Sequence, residues 1–128
     1  MPEIVITEFM DEAAIQASFA GRDVLYDPKL VDDPARLAAS LHEARALIVR
    51  NRTQVRGVLL ESAARLEVVG RLGVGLDNID VRACEARGIA VYPATGANDL
   101  SVAEYVITAA LMLLRRAWFA TARVAAGE

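Results

Sequence analysis

The sequence predicts a doubly wound α/β fold, with a five-stranded parallel sheet covered by helices on both faces. Two observations carry this reading. Five short apolar runs, at 4–6, 24–26, 46–49, 66–72 and 89–92, are bounded by polar residues, glycine or proline. The intervals between them read as helices rather than as hairpin turns, so each strand returns parallel to the last. At 128 residues the chain is one domain by size, able to bury about two thirds of its unfolded surface.

Ile4-Val5-Ile6 is the first strand, and Asp11 caps a helix that runs through Ala20 to a stop at Gly21. Val24-Leu25-Tyr26 is the second strand, ended by Asp27-Pro28. Asp33-Pro34 places a cap residue before a proline at the first helical position, and Leu37, Leu41 and Ala44 continue as one apolar stripe. Ala46-Leu47-Ile48-Val49 is the third strand. It runs into Arg50-Asn51-Arg52-Thr53, and a buried strand that ends in a polar cluster is where open α/β sheets place ligand groups. A helix over 58–64 leads to the fourth strand, 66–72. Asp80 caps the next helix, which reaches Arg87 with Gly88 at its end, and Ile89-Ala90-Val91-Tyr92 is the fifth strand. This succession describes a flavodoxin-like layer. Tyr26 and Tyr92 are expected to cover its edges, and the segment 93–98 reads as a loop.

The fourth strand feeds Gly70-Arg71-Leu72-Gly73-Val74-Gly75-Leu76-Asp77-Asn78-Ile79-Asp80. Gly73 and Gly75 are read as a turn that opens a helix and leaves backbone N–H groups free for an anion. They supply the first two glycines of a dinucleotide fingerprint, but Asn78 stands at the third. The region about 20 positions on, Val91-Tyr92-Pro93-Ala94-Thr95, holds no acid for a ribose. Both departures speak against a nucleotide phosphate. A nucleotide phosphate loop is thus the weakest of three readings, beside a small-carboxylate loop and a tight turn without a ligand.

From Asp99 the pattern changes. The helix 100–114 is apolar on nearly every side, interrupted mainly by Glu104 and Thr108, and Arg115-Arg116 complements its C-terminal dipole. It is too short and too polar to span a bilayer, so it is expected to be buried by protein. The tail 117–128, a short helix carrying Trp118 and Phe119, exceeds what one sheet layer covers, and Leu100 to Phe119 is expected to form a contact surface for a homo-oligomer.

Composition narrows the function classes. Net charge is −3 and Lys29 is the only lysine, with the arginines scattered rather than drawn into the basic stripe of a nucleic-acid binder. No face reads as a membrane patch. Cys84 is the only cysteine, excluding an internal disulfide and a thiolate metal cluster, and it reads as a small buried helix residue. Asp77 and Asp80 read as turn and cap residues, and no metal site is expected. The first residues enter a strand without the order of a signal peptide, and a cytoplasmic location is expected.

Three stretches together, Ala46 to Thr53, Gly70 to Asp80 and Thr95-Gly96-Ala97-Asn98-Asp99-Leu100-Ser101-Val102-Ala103-Glu104, resemble the D-isomer-specific 2-hydroxyacid dehydrogenases. The resemblance runs from about Ala46 to Arg116. It implies a substrate-binding domain over 1–98, a linking helix and tail over 99–128, and an NAD-binding domain supplied by protein absent from this chain. It further implies that the backbone amides of Val74 and Gly75 hold the substrate carboxylate, that Arg50 and Asn51 face the substrate, that Asn98 contacts it beside the nicotinamide, and that Val102 packs near that ring. The bland alternatives are that Arg50 pairs with a carboxylate such as Asp77 and that Asn98 is only a helix cap. The chain departs from the family at Pro93-Ala94-Thr95, where Asn-Thr-Pro is common, and at Tyr105, where histidine is common; both bear on the loop and the choice of acid.

The resemblance places the family's catalytic residues, a histidine among them, in the later part, so none is expected here. His42, the only histidine, falls roughly 140° around its helix from the Leu37/Leu41 stripe and faces solvent. The expected function is the acid-binding part of an NAD(P)-dependent oxidoreductase that moves a hydride between nicotinamide and a small 2-hydroxy or 2-oxo acid. The chain alone is expected to be inactive and to bind neither NAD nor NADP tightly. The alternative is a standalone flavodoxin-like binding or self-association module.

Overall fold

The computed structural model describes residues 1–128. They form two units, Met1–Thr95 and Gly96–Glu128, taken here separately. In the first, β1 (Ile4–Ile6), α1 (Glu12–Ser18), β2 (Val24–Tyr26), a 3₁₀ turn (Leu30–Asp32), α2 (Pro34–Leu41), β3 (Ala46–Val49), α3 (Gly57–Ser62), β4 (Val68–Arg71), α4 (Val81–Ala86) and β5 (Ala90–Pro93) follow in order. The five strands pair in parallel as β2-β1-β3-β4-β5, the flavodoxin-like order expected of this pattern.

Alternation along the strands assigns the two faces. Val5, Leu47, Val49 and Val69 point to the side where Leu37 and Leu41 of α2, Leu60 of α3 and Cys84 of α4 close the main core. Val5, Leu47 and Val69 lie side by side in the register of β1, β3 and β4. Ile4 and Ile6 point the other way, onto Ile15 of α1, with Phe19, Val24, Tyr26, Ala46 and Ile48 around them. Both faces carry helices, as expected, but the cover is unequal. The α1 side is closed over β1, β2 and β3, while Ala90 and Tyr92 of β5 are exposed there. Tyr92 therefore does not seal its edge, whereas the Tyr26 hydroxyl accepts a hydrogen bond from the Met10 amide at 3.4 Å.

The helix starts are as the sequence dictates. Asp11 accepts from the Ala14 amide at 2.9 Å, Asp33 from Arg36 at 3.0 Å, with Pro34 entering α2, and Asp80 from Ala83 at 3.0 Å. Each satisfies a donor that the first helical turn leaves without a partner. Strand ends shift by one or two residues. Leu66 is buried in the turn before β4, and Ile89 donates back to the Cys84 carbonyl at 2.9 Å before β5 begins.

The second unit is α5 (Asp99–Leu114) and α6 (Ala117–Ala125), joined through Arg116, whose φ of 54° lies in the left-handed region. Neither helix contains a buried residue. A helix that is apolar all round requires neighbours on every side, and one partner helix provides them on a single side. Tyr105, Thr108, Met112, Trp118 and Phe119 line a groove of about 480 Å³ between the two. No helix of the chain is long and apolar enough to cross a membrane.

Candidate functional site at the carboxyl ends of β1, β3 and β4

Three chain exits meet at one edge of the sheet: Thr7-Glu8-Phe9 after β1, Arg50 to Thr53 after β3, and Leu72 to Asp80 after β4. The winding reverses between β1 and β3, and the crevice outside the carboxyl ends at such a reversal is where this architecture receives ligands.

The β4 exit differs from expectation in one respect. Gly73 and Gly75 open no helix: α4 begins only at Val81, under its own Asp80 cap. The glycines sit in an irregular loop, so any anion there meets loop amides rather than a helix terminus. Gly73 has φ 152°, donates to the Arg71 carbonyl at 2.9 Å and accepts from Ala94 at 2.9 Å. The Arg71 side chain folds across it, with Nη1 donating to the Leu72 carbonyl at 2.8 Å and Nε buried without an acceptor. The N–H groups of Val74 and Gly75 donate to no group of the protein. Val74 is 44% exposed.

Asn78, at the place of a third glycine, is 5% exposed. Its Nδ2 donates to the carbonyls of Arg50 at 3.0 Å and Thr53 at 2.8 Å, and its own carbonyl accepts from Val55 at 2.8 Å. The amide that breaks the nucleotide fingerprint thus binds the β3 exit to the β4 exit. Arg56 adds a bond to the Asp77 carbonyl.

Glu8 holds the same bend from the other side. Its Oε1 accepts from the Arg50 amide at 3.0 Å, the Thr53 amide at 3.0 Å and the Thr53 hydroxyl at 2.9 Å, and Oε2 accepts from the Arg52 amide at 3.1 Å. Thr7 reaches the Thr53 hydroxyl at 2.8 Å. Burial pushes the Glu8 carboxyl up, but the Thr53, Arg50 and Arg52 amides and the Thr53 hydroxyl outweigh it and hold the group below the ordinary glutamate value. A carboxyl depressed on folding stabilises the fold fully above its unfolded pKa, and this contribution disappears as pH falls through the folded value. Denaturation midpoints are therefore expected to fall below about pH 4.5 and to fall less in Glu8→Gln. Parallel acid limbs for the two proteins would contradict this. Asp27, Glu43 and Glu67 are also lowered, Asp27 by the Lys29 amide and then Arg36, Glu43 by Arg65 and Glu67 by Arg45, but all in solvent, where pairing contributes little.

The side chains carried by the bend remain available. Arg50 forms no ion pair and lies 5.9 Å from the centre of the exposed Phe9 ring, so the alternative pairing with Asp77 is not made. Asn51 is exposed and borders two recesses. One, about 170 Å³, is lined by Gln54, Arg71, Asp77 and Asn78; the other, about 350 Å³, by Glu8, Phe9, Pro28, Arg50 and Arg52. Arg52 pairs with Asp32.

Arg50, Asn51, Val74 and Gly75 are therefore brought to one sheet edge. Asn98 and Val102 belong to the second unit. Asn98 precedes α5 without a side-chain capping bond, and its carbonyl accepts from Val102, which is half exposed. His42 is solvent-facing and bonds Glu43 at 3.0 Å. Cys84 is fully buried, and that burial pushes its thiol up. No group of three acidic, histidine or cysteine side chains is placed to hold a metal. The residues at the β4 exit do not fit a dinucleotide: the loop opens no helix for a pyrophosphate, and Asn78 spends its side chain on Arg50 and Thr53. Sequence reasoning missed Glu8, Asn78 and Arg71 as parts of the site. The available signal was a carboxylate, Glu8, two residues beyond a fully apolar strand.

The model of the D-isomer specific 2-hydroxyacid dehydrogenase catalytic domain matches residues 4–126. The chain belongs to the D-isomer-specific 2-hydroxyacid dehydrogenase family. Among members of this family, (S)-sulfolactate dehydrogenase of Chromohalobacter salexigens is 56% identical over 128 residues, which are all of this chain and 41% of that protein. D-3-phosphoglycerate dehydrogenase of Methanocaldococcus jannaschii is 36% identical, over all of this chain and 24% of its own length. The chain thus spans less than half of these dehydrogenases. The PH0520 protein of Pyrococcus horikoshii superposes with a TM-score of 0.80 at 25% identity, covering all of this chain and 38% of that one. D-lactate dehydrogenase of Aquifex aeolicus, solved with NAD and lactic acid, shares the fold with a TM-score of 0.74 at 21% identity, over 94% of this chain and 37% of that one.

Proposed function

We propose that this chain is the acid-binding part of an NAD(P)-dependent D-2-hydroxyacid dehydrogenase, which transfers a hydride between nicotinamide and a 2-hydroxy acid or the matching 2-oxo acid. The observation that carries the reading is the pair of unspent amides at Val74 and Gly75, beside a bend that presents Arg50 and Asn51. Two adjacent N–H donors match the two oxygens of a carboxylate, and they are fixed before the acid arrives. Arg50, free of any carboxylate partner, suits an acid with a second anionic group, such as a sulfonate or phosphate, since a guanidinium fork grips such groups bidentately. The relatives named for sulfolactate and phosphoglycerate support that choice. Asn98 and Val102 are assigned to the nicotinamide side of the acid, and the nucleotide itself to a separate domain.

Oligomerisation is assigned to Leu100 to Phe119. Trp118 and Phe119 there are 69% and 66% exposed, on helices without a buried residue. The 128 residues alone are expected not to turn over, because the one histidine lies in solvent beside Glu43 and no proton donor for a nascent alkoxide stands at the glycine loop.

The direct test is an amide titration of the isotopically labelled chain. Sulfolactate and glyoxylate are expected to shift the Val74 and Gly75 resonances first and most. Silence at both amides, or a larger response there to NAD than to either acid, would sink the reading.

A further inference from the structure

The bend Arg50 to Thr53 belongs to no helix or strand, yet five of its eight backbone N–H and C=O groups are engaged by Glu8 and Asn78. The amides of Arg50, Arg52 and Thr53 go to Glu8, and the carbonyls of Arg50 and Thr53 go to Asn78. Glu8 and Asn78 are each 5% exposed and come from different strand exits, 42 and 28 positions away from Arg50. Asn51, between the pinned groups, is exposed.

A buried carboxylate needs compensation for lost hydration. Here it comes from four hydrogen bonds, all donated by this bend, while the nearby Arg52 guanidinium is turned to Asp32. Glu8 therefore holds a piece of backbone. Both oxygens are occupied, so it is not poised to exchange protons with a ligand.

We propose that Glu8 and Asn78 are positioning residues that lock the Arg50 to Thr53 bend from its two sides, so that the Arg50 guanidinium meets the distal anion of an acid whose carboxylate rests on Val74 and Gly75. The proposal depends on the acid reading of those two amides. Of the bend's own side chains only the Thr53 hydroxyl helps hold this shape, through Glu8 and Thr7, with Gln54 on the Arg52 carbonyl; without the bracket, Arg50 loses its fixed origin while the glycine loop keeps its own.

Glu8→Gln tests this with little change in volume. Oε1 accepts three of the four bonds, so the glutamine oxygen takes that place and its NH₂ group is left facing the Arg52 amide, donor against donor. The readout is the ratio of dissociation constants for lactate and sulfolactate, measured by amide titration of the full 128-residue chain. The wild type is expected to bind the dianion about tenfold more tightly, as a charge-assisted contact provides. In Glu8→Gln the ratio is expected to fall toward one, with lactate affinity within about twofold of wild type. A merely structural loss lowers the folded fraction and weakens both acids alike, leaving the ratio intact. Should Glu8→Gln not fold, Thr53→Val removes one donor to Oε1, together with the bond to Thr7, and should lower the ratio in the same direction by a smaller factor. An unchanged ratio in the folded variant, with both acids still shifting Val74 and Gly75, overturns the positioning role and leaves the acid reading standing. Wild type binding both acids equally overturns the Arg50 contact. Silent amides in the wild type overturn the acid reading itself.

Discussion

Gly73→Ala is expected to destabilise the sheet unit by about 1–3 kcal/mol and to abolish the response of Val74 and Gly75 to added acid. Two effects act together. At φ 152° an L side chain is strained whatever the available space, and the new Cβ would lie 1.8 Å from Arg71 Nη1. The second is relieved by swinging a flexible side chain aside, at the loss of its bond to Leu72. The first is relieved only by turning the peptide that orients the next two amides, so function is lost along with stability. Gly75→Ala is the control. Its Cβ meets only Asp77 Oδ2, at 3.6 Å, an ordinary contact, and its φ is not positive. Denaturant midpoints and amide spectra of the two variants check the contrast. If Gly73→Ala matches wild type in both, the loop is not held in the described shape.

Leu47→Ala is expected to cost about 2–5 kcal/mol. Leu47 is fully buried at the middle of β3, between Val5 on β1 and Val69 on β4, where close-packed neighbours cannot collapse into the space vacated. Although β3 leads directly into Arg50, the bend is anchored separately by Glu8 and Asn78, so the loss reaches the acid site only through the folded fraction. Acid affinity of the remaining folded molecules is expected to be unchanged. Val58→Ala, at a position 78% exposed, is expected to stay within about 0.5 kcal/mol of wild type. A Leu47→Ala midpoint within that margin would contradict the assignment of the core.

What was legible in the sequence was local. Asp11, Asp33 and Asp80 announce their helices because a capping carboxylate and its amide lie three residues apart, and the apolar runs announce strands because buried parallel strands need no polar face. The glycine loop was half legible. Its free amides follow from the glycines, and the helix starts at Asp80 as expected, but the glycines themselves open no helix. The Glu8 bracket was invisible because its partners lie 42 to 45 positions along the chain. Arg71 was passed over because no spacing rule foretells a guanidinium folded across the glycine two residues on. What covers α5 was not legible, since a helix apolar on all sides states a requirement without naming what meets it.

The strand order has a consequence for how the chain emerges from a ribosome. β1 is made first but lies inside the sheet, and its two neighbours, β2 and β3, are both synthesised later. Three-residue strands paired as a lone ribbon do not hold in water, so the earliest segment stays without a lasting partner until Leu47 has been translated. Birth order and assembly order therefore differ: the pairing of β1 with β3 requires closure of the loop between them, and that closure cannot begin before the middle of the chain is made.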